Sequence, residues 1–387
     1  MCNGHERARK NVLITGGAGF IGSKLVLRLL SMNCNITVID NLSPQVHTAN
    51  PDNSYTYTLI KDKVRIIKAD ITNKDVLSQA IIGQNIIVHL AAETGTGQSM
   101  YEIEKYTNSN VMGTAILLDV LVNTNHCVHT FIVASSRAIY GEGKYDCANC
   151  GVVYPVSRTV DDMDNGQFNP RCPKCLNSNI LCLPTDENSE QNPESIYAIN
   201  KQTQEQMVLT VGRMLGISTV ALRYQNVYGP GQSLSNPYTG ILSIFSSLLR
   251  RNEPVNIFED GQESRDFVFI DDVIDATVLA IESPLTLGNA FNVGSGAPTS
   301  VLTVANELKR CYLSRSPINV TGRYRLGDIR HNVADLRLIT DTIGFHPKID
   351  FTTGLSYFSA WVKTEAQTES GGYSKSIEEL ASRGLYK

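Results

Sequence analysis

Tyr197 and Lys201, in Tyr197-Ala198-Ile199-Asn200-Lys201, are the pair whose spacing suggests chemistry most directly. Positions i and i+4 of a helix share one face, so the Lys201 ammonium is expected beside the Tyr197 phenol. A neighbouring positive charge lowers a tyrosine pKa from its usual value near 10. A phenolate near neutral pH is a competent general base for an alcohol. Tyr-x-x-x-Lys arises often by chance, so its weight depends on context. A third member is Ser136, in Ala134-Ser135-Ser136-Arg137-Ala138-Ile139-Tyr140-Gly141, where a strand-like run ends. Its hydroxyl would hold the reacting oxygen beside Tyr197; Ser135 competes for the role, and the bland alternative is that both serines merely end a strand.

The context is a glycine turn. Gly16, Gly19 and Gly22 space Gly16-Gly17-Ala18-Gly19-Phe20-Ile21-Gly22 as G-x-x-G-x-x-G, after the run Asn11–Thr15 and at the start of the helical pattern Ile21–Ser31. Strand, glycine turn and helix are the setting in which backbone N–H groups and a helix dipole receive a pyrophosphate. Asp40 ends the second strand-like run, followed by Asn41, and a carboxylate there accepts ribose hydroxyls and repels a 2′-phosphate. NAD is therefore expected rather than NADP. Asp70-Ile71 ends the third run, either against adenine or with Asp70 as a plain helix cap. His89-Leu90-Ala91-Ala92 ends the fourth, with small residues where the cofactor must approach and His89 in a structural role.

A separate constellation is Cys147-x-x-Cys150 and Cys172-x-x-Cys175, separated by 21 residues. Four thiolates at this spacing suit a tetrahedral Zn²⁺ of ribbon type, closed and therefore structural; disulfides or reactive thiols are the alternative. Cys182 is left as a spare.

The elements that must carry these residues alternate. Strands are expected at Asn11–Thr15, Asn35–Asp40, Val64–Ala69, Ile86–Leu90, His129–Ser135 and Ser218–Arg223, with helices between them, including long ones at Glu102–Leu121 and Ser195–Leu215. Strand–helix alternation implies an α/β fold with a doubly wound parallel Rossmann sheet. We divide the chain into a cofactor domain at 10–224, interrupted by a zinc-ribbon-like insert at 144–184 without helical period, a smaller C-terminal substrate lobe at 225–365, of which 266–294 returns to the first domain, and a loosely held tail at 366–387. The net charge of −4 without a basic run argues against a nucleic-acid partner. No apolar stretch approaches the roughly 18 residues of a membrane span, and the polar start has no secretory pattern, so a cytoplasmic protein without a membrane partner is expected.

Taken together, the glycine turn, Asp40, Ser136, Tyr197 and Lys201 resemble the extended short-chain dehydrogenase family of nucleotide-sugar epimerases and dehydratases. The likeness spans roughly residues 10 to 345. Asn110-Val111-Met112-Gly113-Thr114 resembles the family's Asn-x-x-Gly-Thr segment. Leu222–Pro230 resembles its sixth-strand segment, which implies Tyr224 at the cofactor and Asn226 at the substrate diphosphate. Arg265 and the pair Arg325 and Asp328 of Arg-Leu-Gly-Asp stand where the family contacts that diphosphate, and Glu93, Thr94 and Arg137 are expected among the substrate's contacts. The family's dehydratases carry Asp-Glu after the catalytic hydroxyl residue, where this chain has Arg137-Ala138. A 4-epimerase with tightly held NAD is thus implied; a ketoreductase, a dehydratase using another acid such as Glu93, and a non-catalytic NAD-binding sensor remain as alternatives. The family's pairing through its long helices implies a homodimer.

Overall fold

A computed structural model describes residues 9–236, 238, 240–283, 288–367 and 371–387. Residues 1–8, with the polar start and Cys2, lie outside them, as do residues 368–370 of the tail. The first strands are β1 (Asn11–Thr15), β2 (Asn35–Asp40), β3 (Arg65–Lys68), β4 (Ile86–His89) and β5 (Thr130–Ser136). Short antiparallel strands β6 (Tyr145–Cys147), β7 (Gly151–Val153) and β8 (Ile180–Cys182) follow in a sheet of their own. The chain rejoins the main sheet as β9 (Ser218–Tyr224), leaves through β10 (Asn226–Tyr228), β11 (Val255–Ile257) and β12 (Ser264–Phe269), and returns as β13 (Asn289–Val293). The main sheet has the order β13-β9-β5-β4-β1-β2-β3, with every pairing parallel.

The central strands β1, β4, β5 and β9 are buried almost throughout because both faces are covered, whereas the edge strand β3 exposes Arg65 and Lys68. Successive side chains point to opposite faces. Val12, Ile14, Val38, Val88, Ile132 and Leu222 enter one core, while Leu13, Ile39, Ile87, Val133 and Ala221 enter the other. The chain winds outward in both directions from β1 and β4, so a crevice opens between the carboxyl ends of these strands.

A smaller assembly covers that crevice. β14 (Pro298–Ser300) and β16 (His331–Asn332) join β12, which also pairs with β10, and β15 (Ile318–Val320) pairs with β11. The helix Ile270–Glu282 leads from β12 back to the main sheet and packs on the helix Phe20–Ser31 that opens at the glycine turn.

Three expectations change. The long helix expected at Glu102–Leu121 is helical at Ile103–Thr107 and Gly113–Asn123 but widens to a π turn at Asn108–Met112. The insert contains a short helix, Val160–Asp164, capped by the Thr159 side chain on Asp162 N. The tail is held: Gly372–Ser382 is helical, Tyr324 and Lys387 exchange two backbone hydrogen bonds, and Leu326 N donates to Leu385 O. No helix among the described residues is long and apolar enough to cross a membrane.

Candidate active site

A cleft of about 770 Å³ runs along the carboxyl ends of the main-sheet strands and under the smaller assembly. At one end it is lined by Gly16, Gly19, Phe20, Ile21 and Gly22, with Asp40 and Asn41, Ile71, and Leu90, Ala91 and Ala92. Ser136, Arg137, Tyr197, Lys201 and Tyr224 lie in its middle, with Glu93 and Thr94. Asn226, Arg265, Arg325 and Asp328 line the far end.

The glycine end fits a dinucleotide. Gly16 sits at φ +69°, and a Cβ there would fall 2.7 Å from Ala91 N. A Cβ on Gly22 would meet Gly16 O at 2.4 Å. Gly19 begins the twelve-residue helix Phe20–Ser31 without a side-chain cap, and no acidic residue occupies the first turn. Its leading N–H groups thus remain available to an anion. The Asp40 carboxylate is fixed by Ala18 N at 3.0 Å and Leu42 N at 2.9 Å, which aligns it at the end of β2.

Two residues expected at the cofactor are not among those lining the cleft: Asp70 is exposed beside it and Asn110 is buried behind it. The Asp70 carboxylate accepts Thr72 N, the Thr72 hydroxyl and Asn41 Nδ2, so it builds the turn after β3. Asn110 is fully buried at the π turn, accepting Glu93 N at 2.8 Å and donating to Glu93 O at 3.1 Å. Both shape loops whose neighbours, Ile71 and Glu93, line the cleft. His89 is buried among Thr15, Thr114 and Gln204, and burial pushes its pKa down to about 3, so it is neutral.

The two serines separate by partner. Ser135 Oγ donates to Glu205 Oε2 at 2.6 Å, inside the buried Glu205–Arg223 pair, whereas Ser136 Oγ accepts Ala138 N at 3.2 Å and stands beside the Tyr197 phenol. Ser195 caps the helix Ile196–Leu215 through Ala198 N and aims its first turn, with Tyr197, at β5. The expected acidification of the phenol is not present. Lys201 is buried, and its ammonium donates to Ala134 O at 3.0 Å. Burial pushes the Tyr197 pKa up, outweighing the neighbouring Ser136 hydroxyl and the Arg137 charge, and pushes Lys201 down to about 7. Desolvation beats proximity here because both charged forms lose water.

At the far end two guanidinium groups meet the Asp328 carboxylate and a third, that of Arg137, lies nearby. Arg265 is consumed by Ser264 O, Ile329 O, Arg330 O and Asp328 Oδ1 at 2.7–3.1 Å. Arg325 gives Nη2 to Asp328 Oδ2 at 2.7 Å, while its buried Nε has no partner among the described residues. Arg137 donates Nε to Asn226 Oδ1 at 2.9 Å; burial, then the Arg265 charge, pushes its pKa down to about 10. A site with surplus positive charge and an orphan donor favours an anion. Motif reading missed, among others, Phe258, Glu263 and the tail residue Tyr373, which also line the cleft.

The four cysteine thiols Cys147, Cys150, Cys172 and Cys175 lie within 4.8 Å of one another, with Cys147 and Cys175 sulfurs 3.6 Å apart. Cys147 ends β6, Cys150 stands in the turn before β7, and Cys172 and Cys175 lie in the loop before β8, away from the cleft lining.

The model of the NAD-dependent epimerase/dehydratase family matches residues 12–158 and 179–294, and the chain belongs to that family. Fold and site together define an NAD-dependent nucleotide-sugar epimerase. Among curated relatives, a dTDP-L-rhamnose 4-epimerase of Burkholderia thailandensis is 36% identical, covering 92% of this chain and 96% of its own length. A UDP-glucose 4-epimerase of Thermotoga maritima, solved with UDP-glucose, superposes with a TM-score of 0.73 at 28% identity, covering 91% of this chain and 98% of that one. A UDP-N-acetylglucosamine 4-epimerase of Methanobrevibacter ruminantium, in complex with UDP-N-acetylmuramic acid, gives 0.74 at 27% identity, with 92% and 99% covered.

Proposed function

We propose that this protein epimerises C4 of a nucleotide-diphosphate sugar with tightly bound NAD, converting dTDP-L-rhamnose to dTDP-6-deoxy-L-talose. One observation carries the reaction: a single cleft joins an uncapped glycine turn, the Ser136–Tyr197–Lys201 trio and an arginine-rich far end. The choice of sugar is supported by the Burkholderia relative and by two segments similar to such enzymes, Ala92–Ser99 and Ser135–Tyr145 with the cysteine pairs that follow.

In this reading Tyr197 takes the proton of the C4 hydroxyl, with Ser136 holding the oxygen. NAD supplies, when bound, a hydride acceptor at C4 that can give the hydride back. The 4-keto sugar turns over while Arg137, Asn226 and Arg325 keep hold of the diphosphate, and Arg265 and Asp328 set Arg325. Return of the Tyr197 proton to the oxygen completes the inverted alcohol. Gly16, Gly19, Phe20, Ile21, Gly22, Asp40, Asn41, Leu90, Ala91, Ala92 and Tyr224 would hold the dinucleotide. Arg137-Ala138 offers no acid–base pair for expelling water. Incubation with dTDP-L-rhamnose, dTDP-glucose and UDP-glucose, without added NAD, is expected to invert C4 of the first. Loss of water, net NADH release or an unchanged sugar would reject the assignment.

We also propose a structural Zn²⁺ on Cys147, Cys150, Cys172 and Cys175, whose mutual distances and number suit tetrahedral thiolate coordination with no position left for substrate. Metal analysis without stoichiometric zinc would reject it. A homodimer through the helices around residues 103–123 and 196–215 is supported by exposed Ile103, Met112, Val122, Ile199 and Met214; sedimentation as a monomer at micromolar concentration would count against it.

A further inference from the structure

The cysteine-bearing insert touches the far end of the cleft through one buried side chain. Arg158 has a side-chain exposure of 2%. Its Nη2 donates to the backbone carbonyl of Asp328 at 2.8 Å, and its Nη1 to Glu259 and to Phe168 O, each at 2.9 Å. Its Nε lies 3.1 Å from Glu142 Oε1. Both carboxylates then return to the same stretch of chain: Glu142 Oε2 accepts Arg330 N at 2.8 Å, and Glu259 Oε2 accepts Arg330 Nη1 at 3.0 Å. The short insert helix adds a second contact, since Tyr324 OH donates to Asp164 Oδ1 at 2.6 Å while Met163 and Phe168 pack on Tyr324 and Leu326. A third reaches the loop just before the helix that carries Tyr197, where the Ser157 hydroxyl donates to Glu194.

We propose that Arg158 is a positioning residue for substrate: by holding the Asp328 carbonyl and the two carboxylates that bind Arg330, it sets residues 325–330 so that Arg325 faces the cleft, and it thereby makes nucleotide-sugar affinity depend on the insert. The inference rests on Arg325 contacting the diphosphate. A buried fork of this kind cannot be lost quietly, because its removal leaves Glu142 without its cation, leaves Glu259 to Arg330 alone and frees the Asp328 carbonyl. Loss of one charge-assisted hydrogen bond to the diphosphate is enough to weaken binding by about an order of magnitude or more. General unfolding would instead lower NAD content and kcat together.

The test uses the full-length NAD-loaded enzyme, with dTDP and UDP as calorimetric probes. Arg158→Met is expected to weaken dTDP binding, and raise substrate KM, by roughly tenfold or more, with kcat within about threefold and NAD content unchanged. Arg158→Lys is expected to recover part of the loss. Unchanged dTDP affinity in folded Arg158→Met, or a fall in kcat without a rise in KM, overturns the proposal. If that variant does not fold, Tyr324→Phe removes only the bond to Asp164 and is expected to weaken dTDP binding about threefold or more; unchanged affinity there overturns the proposal as well. Arg325→Met separates the two readings. If it binds dTDP as tightly as wild type, the diphosphate assignment falls and the proposal with it; if it binds weakly while the insert variants do not, only the coupling falls.

Discussion

Tyr197 and Lys201 both sit where burial opposes their charged forms. The phenol is held above its ordinary pKa and the ammonium is pushed down to about 7. For a general base the sign is simple: a phenol with a raised pKa is mostly protonated at neutral pH. Turnover at saturating substrate is therefore expected to rise between pH 6 and 9, and a flat profile would remove Tyr197 from the base role. Tyr197→Phe is expected to lower kcat by about 10²–10⁴-fold while NAD stays bound, measured as epimer formed per NAD-containing subunit. Lys201 makes an opposite demand on stability. Its folded pKa near 7 lies below the ordinary 10.5, so between those values the unfolded chain binds more protons and stability rises with pH. In NAD-free protein Lys201→Met is accordingly expected to raise Tm more at pH 6 than at pH 9, although it abolishes turnover. Equal shifts at the two pH values would show that the ammonium is not desolvated in the folded chain.

Two elements bring the trio to the glycine turn, and each has an identifiable weak point. The helix Ile196–Leu215 is tied to β5 and β9 by Glu205, which accepts both Arg223 Nη2 at 2.6 Å and Ser135 Oγ at 2.6 Å with almost no solvent exposure. Glu205→Ala strands the buried guanidinium and is expected to cost about 3–5 kcal/mol in urea unfolding; a loss under 1 kcal/mol would mean that water replaces the carboxylate. At the other end, Gly22 faces backbone that cannot yield. Gly22→Ala is expected to lower stability by roughly 1–3 kcal/mol and to yield protein with depleted NAD, read from absorbance after denaturation. The π turn at Asn108–Met112 belongs to the same scale: the extra residue in the turn lets Asn110 reach inward and bind both backbone groups of Glu93.

At the scale of the whole molecule the cleft is closed by segments distant in sequence. Glu379 of the C-terminal helix accepts the Tyr101 and Tyr238 phenols at 3.1 and 2.8 Å, and Tyr373 lines the cleft. Removal of residues 371–387 is expected to raise KM several-fold while leaving bound NAD in place, because the tail contacts the far end and not the glycine turn; the same KM after truncation would make the tail a mere surface fitting. What was legible in the chain follows from local physics. The glycine spacing, the i, i+4 pair, the strand periodicity and the paired cysteines are short-range patterns, and they located the fold class, the glycine end of the cleft and the trio at its middle. The choices made by burial and by distant partners were not legible. Ser135 and Ser136 are adjacent and alike until β9 and the helix Ile196–Leu215 place Glu205 beside one and Tyr197 beside the other. Asp70 and Asn110 carry the right groups but point into loops. The pKa of Tyr197 depends on how much water the folded walls exclude, and Arg158 acquires its meaning only when a carbonyl 170 positions away arrives at its guanidinium. Sequence determines which chemical groups are available and the local geometry they prefer; desolvation and long-range contact, which exist only after the chain has closed on itself, decide which of those groups face the cleft and in what ionic form.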